Sequence, residues 1–252
     1  MAQRALIIGG SIGGLAAAIL LRQAGWEVEV FERVNVELSG RGAGIVTHPP
    51  LLAALEAAGA ATADLGVISE YRVGLDGQGA EIARFAFPQL VTSWDCLQAR
   101  LRARVPDACY HLGHALQAFT TDGRRVQARF ANGQVAEGDL LVGADGFRST
   151  VRQSLFPQVQ PDYAGYVVWR GLVSEADLPA PIRDQLFDHF AFHLPDGDGE
   201  VIGYPIAGPG NDLRPGHRRY NFVWYRVAGR DRLRDMLTDE TGTTHDLSIP
   251  PP

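Results

Sequence analysis

Read for its apolar and polar positions, the chain opens on a continuous apolar run, Ala5-Leu-Ile-Ile8, closed by glycine. A strand without polar alternation is one covered on both faces, so residues 4–8 are expected to form a buried parallel strand. Ile12 to Ala24 is rich in Ala and Leu and predicts a helix stopped by Gly25. Glu27 to Glu32 alternates and predicts a second strand. Together they form one βαβ unit whose first turn is Gly9-Gly10-Ser11-Ile12-Gly13-Gly14.

Further on, Pro50 to Ala58 reads as a helix with proline near its start and Gly59 as its stop. Trp94 to Val105 reads as another, ended by Pro106. Residues 109–119, 124–130 and 134–142 read as strands, with Asp122-Gly123 and Asn132-Gly133 as hairpin turns. A short helix is expected over Ser149–Leu155. After Pro157 the pattern changes to aromatic-rich strand segments at 165–173, 189–194, 200–206 and 219–227, with Asp196-Gly-Asp-Gly199 as a hairpin loop. The expected fold is α/β: a Rossmann-like dinucleotide-binding domain over residues 1–157, then an antiparallel-sheet domain over 158–252.

Composition narrows the function classes. With 252 residues, 46% of them hydrophobic and 21% charged, the chain is globular rather than disordered or fibrous. A net charge of −6 without a basic run argues against nucleic acid. Cys96 and Cys109 are too few for a disulfide framework and sit in no zinc-ligand spacing, so no metal is expected. The N-terminus lacks a secretory h-region, and Arg22 and Gln23 interrupt the Ile12–Leu21 run before membrane-spanning length. A cytoplasmic protein without a membrane partner is the expectation.

The first chemical motif is the glycine turn. Gly9, Gly10, Ser11, Ile12, Gly13 and Gly14 lie between strand and helix, where backbone N–H groups can meet a pyrophosphate. Ser11 replaces the middle glycine of GxGxxG. Glu32 lies 18 residues past Gly14, where an acid can hold the ribose hydroxyls of an adenosine. An acid there suits FAD or NAD better than NADP, and Arg33 beside it reads as a solvated charge. The bland alternative is a tight turn with a solvent-facing Glu32. The second motif is Gly138-Asp-Leu-Leu-Val-Gly-Ala-Asp-Gly-Phe-Arg-Ser-Thr-Val-Arg152, a strand that delivers Asp145 and Gly146 to a turn. There Asp145 reads equally well as a cofactor contact or a local helix cap.

Taken in order, GGSIGGL, VEVFER, RGAGI and DLLVGADGFRSTVR resemble the FAD-dependent aromatic hydroxylases, the single-component flavoprotein monooxygenases. GIVTHP, YAGYVVWRG and YNFVWY add to the likeness and point within the family to dihydroxypyridine-type rings. The resemblance implies that Gly9–Gly14 hold the FAD pyrophosphate and Glu32 the adenosine ribose. It implies that Arg41, Gly42 and Gly44, within Arg41–Ile45, line the flavin side. It also implies that Leu116 meets adenine through its backbone, and that Asp145 and Gly146 complete the phosphate and ribityl contacts. The second domain would bind the aromatic substrate. The chain departs from the family at Trp94, where the family carries a cofactor-contacting arginine. It also lacks the family's second Gly-Asp segment and C-terminal helices, so it is expected to be truncated at its C-terminus.

The implied activity is hydroxylation of an aromatic or N-heteroaromatic ring, of the 2,6-dihydroxypyridine type, with NADH or NADPH as co-substrate and O2. Partners are then the small substrate and, as an assembly, a homodimer. A base near the ring would enrich it in electrons, and His48 and Tyr204 are the candidate catalytic residues. Two other classes are weighed: a non-catalytic remnant of the family, and a plain NAD-dependent Rossmann oxidoreductase, against which the Asp145-Gly146 strand end and the aromatic sheet argue. The chain contains no HExxH, no GxxxxGK[ST] and no hydrolase elbow.

Overall fold

The computed structural model describes residues 2–38, 43–195 and 199–249. In chain order, β1 (Arg4–Ile8), α1 (Ile12–Gln23), β2 (Glu27–Phe31), β3 (Gly44–Val46) and α2 (Pro49–Ala57) come first. Next are β4 (Val67–Leu75), β5 (Glu81–Ser93), α3 (Trp94–Arg102), β6 (Tyr110–His111), β7 (Leu116–Thr121), β8 (Val126–Phe130), β9 (Val135–Gly138), β10 (Leu140–Gly143) and α4 (Thr150–Leu155). The remainder is β11 (Tyr166–Ser174), α5 (Ala180–Leu186), β12 (His189–His193), β13 (Glu200–Ile206), β14 (Arg219–Val227) and α6 (Arg230–Met236).

These elements form two compact units. The first comprises residues 1–66 and 90–161, the second 67–89 and 162–252. Residues 67–89 thus group with the second unit, an insertion that a single division at residue 157 does not contain.

In unit 1 a parallel sheet runs β10-β1-β2-β6. Its central strand is apolar throughout because both faces are covered. Ala5 and Ile7 pack into one core with Leu15 and Ile19 of α1 and Leu97 and Leu101 of α3. Leu6 and Ile8 pack into another with Phe130 of β8 and Val151 of α4. All four strand residues are at most 3% exposed, each worth on the order of 1–3 kcal/mol of burial. The helix α1 ends where expected, with Gly25 at φ +89°, a conformation that side chains resist.

Two long strands expected in the middle divide. The 109–119 run splits into β6 and β7 around Leu112–Ala115. The 134–142 run splits at Asp139, whose carboxylate accepts the Arg4 N–H at 2.8 Å while its own N–H donates to the Arg4 carbonyl at 2.7 Å. That exchange sends β9 to the antiparallel sheet β7-β8-β9 and β10 to the parallel one. The Gly123 and Gly133 turns form as expected, at φ +88° and +84°.

In unit 2 the strands run β11-β14-β13-β12-β4-β5, with β12 and β4 parallel and the pairs β11–β14, β13–β14 and β12–β13 antiparallel. The strands β11 to β14 match expectation closely, whereas β4, β5, α5 and α6 were not anticipated. The far end of β5 lies in unit 1, where Val91–Ser93 pair with β3. Most of the Asp196–Gly199 loop, residues 196–198, lies outside the described residues.

Candidate functional site

The glycine turn is held by close backbone packing. A Cβ on Gly14 would lie 1.8 Å from the Gly9 carbonyl oxygen, and one on Gly9 2.2 Å from the Ala144 oxygen. Gly9 also adopts φ +110°. Gly13 and Gly146 instead face open space, with nothing within 4 Å of a Cβ. The first N–H groups of α1 have no intrahelical acceptor. Gly9 and Gly10 have already spent theirs: Gly9 donates to the Phe31 carbonyl at 2.9 Å and Gly10 to Glu32 Oε2 at 2.8 Å. Ser11 stands at the N-cap position but makes no cap bond, so its hydroxyl stays free. Ser93 and Ser149, by contrast, each cap their helix.

A cavity of about 370 Å³ opens beside this turn, entirely within unit 1. Gly9, Ser11, Glu32, Arg33, Leu116, Asp145 and Gly146 of the sequence-derived set line it together. Glu32 is 6% exposed; its second carboxylate oxygen accepts the Val34 N–H at 3.1 Å. Each oxygen thus keeps a lone pair for a hydroxyl donor. Asp145 both holds the start of α4 and borders the cavity. It accepts from the Ser149 hydroxyl at 2.6 Å and from the Thr150 N–H at 2.7 Å, holding the start of α4. Gly10, Ile12, Gly13 and Gly14 build the turn without being part of the cavity wall, and Gly44 starts β3 away from it. Arg41 and Gly42 lie outside the described residues.

Sequence reasoning did not single out several wall residues. Trp94, His114 and Arg148 also line the cavity. Trp94 was legible as a departure from a family pattern; Arg148, two residues past Gly146, and His114, two before Leu116, are carried to the wall by the same segments as those predicted residues.

The two candidate bases fall in different units. In unit 1, exposed His48 caps α2, its Nδ1 accepting the Leu51 N–H at 3.3 Å. That bond occupies the acceptor nitrogen and leaves Nε2 as a donor. In unit 2, Tyr204 is 5% exposed and stacks on Phe190 at 4.8 Å. Burial pushes its phenol up to about 12. It therefore stays protonated at neutral pH and can donate a hydrogen bond, but it has no charge with which to take a proton.

Around Tyr204 the sheet of unit 2 carries an aromatic row. Arg72 of β4 stands opposite Phe190 of β12, and Tyr204 of β13 opposite Asn221 of β14. The Arg72 guanidinium lies 4.0 Å over the Phe87 ring and 5.6 Å from Phe190. It donates to Gln89 at 2.9 Å, while its Nε is buried without a partner. No carboxylate pairs with it among the described residues. No metal-binding cluster of His, Cys, Asp or Glu occurs among the described residues, and no helix is long and apolar enough to cross a membrane.

Comparison with known proteins follows this geometry. Residues 7–65 match a family model described as an NAD(P)-binding Rossmann-like domain, and residues 163–252 one described as FAD binding domain-like. The chain is 37% identical over 252 residues to the 2,6-dihydroxypyridine 3-monooxygenase of Paenarthrobacter nicotinovorans, covering 98% of this chain and 61% of that protein. The solved 2,6-dihydroxypyridine-3-hydroxylase of Arthrobacter nicotinovorans superposes with a TM-score of 0.88 at 34% identity, covering 98% of this chain and 62% of that one. Klebsiella pneumoniae HpxO, solved with FAD and uric acid, superposes at 0.69 with 26% identity, covering 94% and 61%. The chain thus spans about three-fifths of the length of these relatives. With a Rossmann-like turn in one unit, a curled aromatic sheet in the other, and this likeness along nearly its whole length, the chain belongs to the FAD-binding monooxygenase family.

Proposed function

We propose that this chain is the FAD-holding and ring-binding part of an NADH- or NADPH-dependent monooxygenase. Its reaction is hydroxylation by O2 of an aromatic or N-heteroaromatic ring of the 2,6-dihydroxypyridine type. The observation that carries this reading is the unit 1 cavity, where the glycine turn, the Glu32 carboxylate and the Asp145-Gly146 turn converge. Its volume falls within the range of small-molecule sites. The residues fit the group: three glycines too crowded for a Cβ, two facing open space, a serine hydroxyl not spent on a cap bond and an acid with lone pairs to spare.

In this reading the N–H groups at the start of α1 and the Ser11 hydroxyl hold the pyrophosphate, and Glu32 accepts from the ribose hydroxyls. Leu116 borders the adenine, and Asp145, by capping α4, keeps the Gly146 turn open beside the phosphates and ribityl chain. Arg41, Gly42 and Gly44 remain assigned to the flavin side. When bound, the flavin supplies the redox and oxygen chemistry, and the chain supplies position and electrostatics. The aromatic row of unit 2 is the proposed ring-binding face. Arg72, with an unspent N–H and no carboxylate partner among the described residues, favours a ring with anionic character, and Tyr204 offers a hydrogen-bond donor on the same face; in unit 1, His48 offers a donor through Nε2. A soluble cytoplasmic homodimer completes the proposal.

The test is the visible absorption spectrum of purified residues 1–252 before and after FAD addition and desalting. Flavin retained near stoichiometry supports the reading, and NADH- or NADPH-driven oxygen uptake with 2,6-dihydroxypyridine then tests the reaction. A colourless chain that fails to retain FAD favours the non-catalytic alternative.

A further inference from the structure

The Gly10 backbone, at the centre of the glycine turn, is held from both sides. Its N–H donates to Glu32 Oε2 at 2.8 Å, and its carbonyl accepts the Tyr110 hydroxyl at 3.0 Å. Both bonds are buried and long-range in sequence, Tyr110 standing 100 residues from Gly10. The fit allows no side chain at Gly10: a Cβ there would lie 2.1 Å from the Tyr110 oxygen. Tyr110 is itself fixed. It is 7% exposed, and the Arg102 guanidinium lies 4.2 Å over its ring. Arg102 is tied in turn to the Val105 carbonyl at 2.9 Å and to Asp107 at 2.8 Å.

These two groups lie on the two peptide planes that meet at the Gly10 Cα: the N–H on the Gly9–Gly10 plane, held by Glu32, and the C=O on the Gly10–Ser11 plane, held by Tyr110. Neither plane can rotate without breaking a buried hydrogen bond. Rotation of the Gly10–Ser11 plane would swing Ser11, and with it the first free N–H groups of α1. Neither gripping side chain has to touch the ligand's phosphates to decide where those donors point.

We propose that Tyr110 is a positioning residue for pyrophosphate recognition: it locks the Gly10–Ser11 peptide, as Glu32 locks the Gly9–Gly10 peptide, so that the N–H groups at the start of α1 are set before a dinucleotide arrives. This rests on the cofactor reading above. Tyr110 suits the task because burial, followed by the charges of Glu32 and Glu37, pushes its phenol up to about 12. The hydroxyl therefore remains a donor across the physiological range.

The test compares ligands with and without the pyrophosphate in the full 252-residue chain. Tyr110→Phe removes only the hydroxyl. FAD and ADP affinity should fall about three- to tenfold by calorimetry, as expected for one buried hydrogen bond. Adenosine affinity, read by displacement of ADP, should stay unchanged, which a general loss of structure would not produce. Combined with Glu32→Gln, the loss should be smaller than the product of the single losses, because both residues hold the backbone of the same residue, Gly10. Equal weakening of ADP and adenosine, or ADP affinity equal to that of the parent chain, overturns the assignment while leaving the cofactor reading intact. A parent chain that binds neither FAD nor ADP overturns both.

Discussion

Around the unit 1 cavity, polar atoms are matched one to one with backbone groups: Glu32 with Gly10 and Val34, Asp145 with Thr150, Tyr110 with Gly10. On the unit 2 sheet the arrangement is different. Arg72 rests on Phe87, and Tyr204 on Phe190, through ring faces that impose little direction. The first surface is a fixed mould, suited to a ligand whose shape never changes. The second is an adaptable wall, suited to rings that differ among substrates.

That contrast is most sharply tested at the turn itself. Gly14→Ala forces a methyl group against the Gly9 carbonyl, so stability should fall by about 1–3 kcal/mol and FAD retention should be lost. Gly13→Ala, one residue earlier, meets nothing within 4 Å and should leave the melting temperature unchanged or higher, since alanine favours a helix by about 1 kcal/mol. Thermal melts with desalting read both; equal destabilisation would refute the mould.

Alkaline titration probes one residue in each unit. Tyr110 and Tyr204 are both raised from 10 to about 12 by burial. The unfolded chain therefore releases these protons first as pH rises. Their contribution should be constant below pH 10 and be lost between about pH 10 and 12, by roughly 2–3 kcal/mol for each. Denaturant midpoints across that range check this, with Tyr204→Phe and Tyr110→Phe each flattening the slope.

Smaller effects follow. Asp145→Ala leaves the Ser149 cap but removes the carboxylate that accepts the Thr150 N–H, and should cost about 1 kcal/mol, together with weaker FAD retention on desalting. Arg72→Met should change stability by no more than about 1 kcal/mol, since its contacts are ring faces and one amide. Its larger effect should fall on the affinity for ionised over neutral hydroxylated rings. At the small end, Glu81→Gln breaks a solvent-screened bridge to Arg84 and should leave the denaturant midpoint unchanged.

Legibility in the sequence follows the same division. The βαβ turn, Glu32 and the Asp145 turn were readable because each is a local pattern whose chemistry lies within a few residues. The strands β4 and β5 were not. The buried positions of β4 are Val67, Ser69, Val73 and Leu75, while Tyr71 between them is exposed, so its alternation is not one of hydrophobicity. The exposed strand β5 carries Pro88 and no buried residue before Val91. The helices α5 and α6, seven residues each, are too short to show a period. Tyr110 looked like an ordinary strand residue, and Arg72 an ordinary surface cation. Their roles depend on partners brought together only by the folded chain.

The parallel pairing of β1 with β10 also sets a schedule for synthesis. Arg4 bonds Asp139, 135 residues later. At ordinary elongation rates a ribosome needs roughly 7–27 s to cover that distance. Until then one edge of β1 is unpaired and the Ala144 carbonyl that packs against Gly9 has not been made. The glycine turn, made long before these partners, is therefore among the last parts of its unit to take shape. A nascent chain stalled before residue 143 would carry the nucleotide fingerprint in its sequence without yet having the means to read a nucleotide.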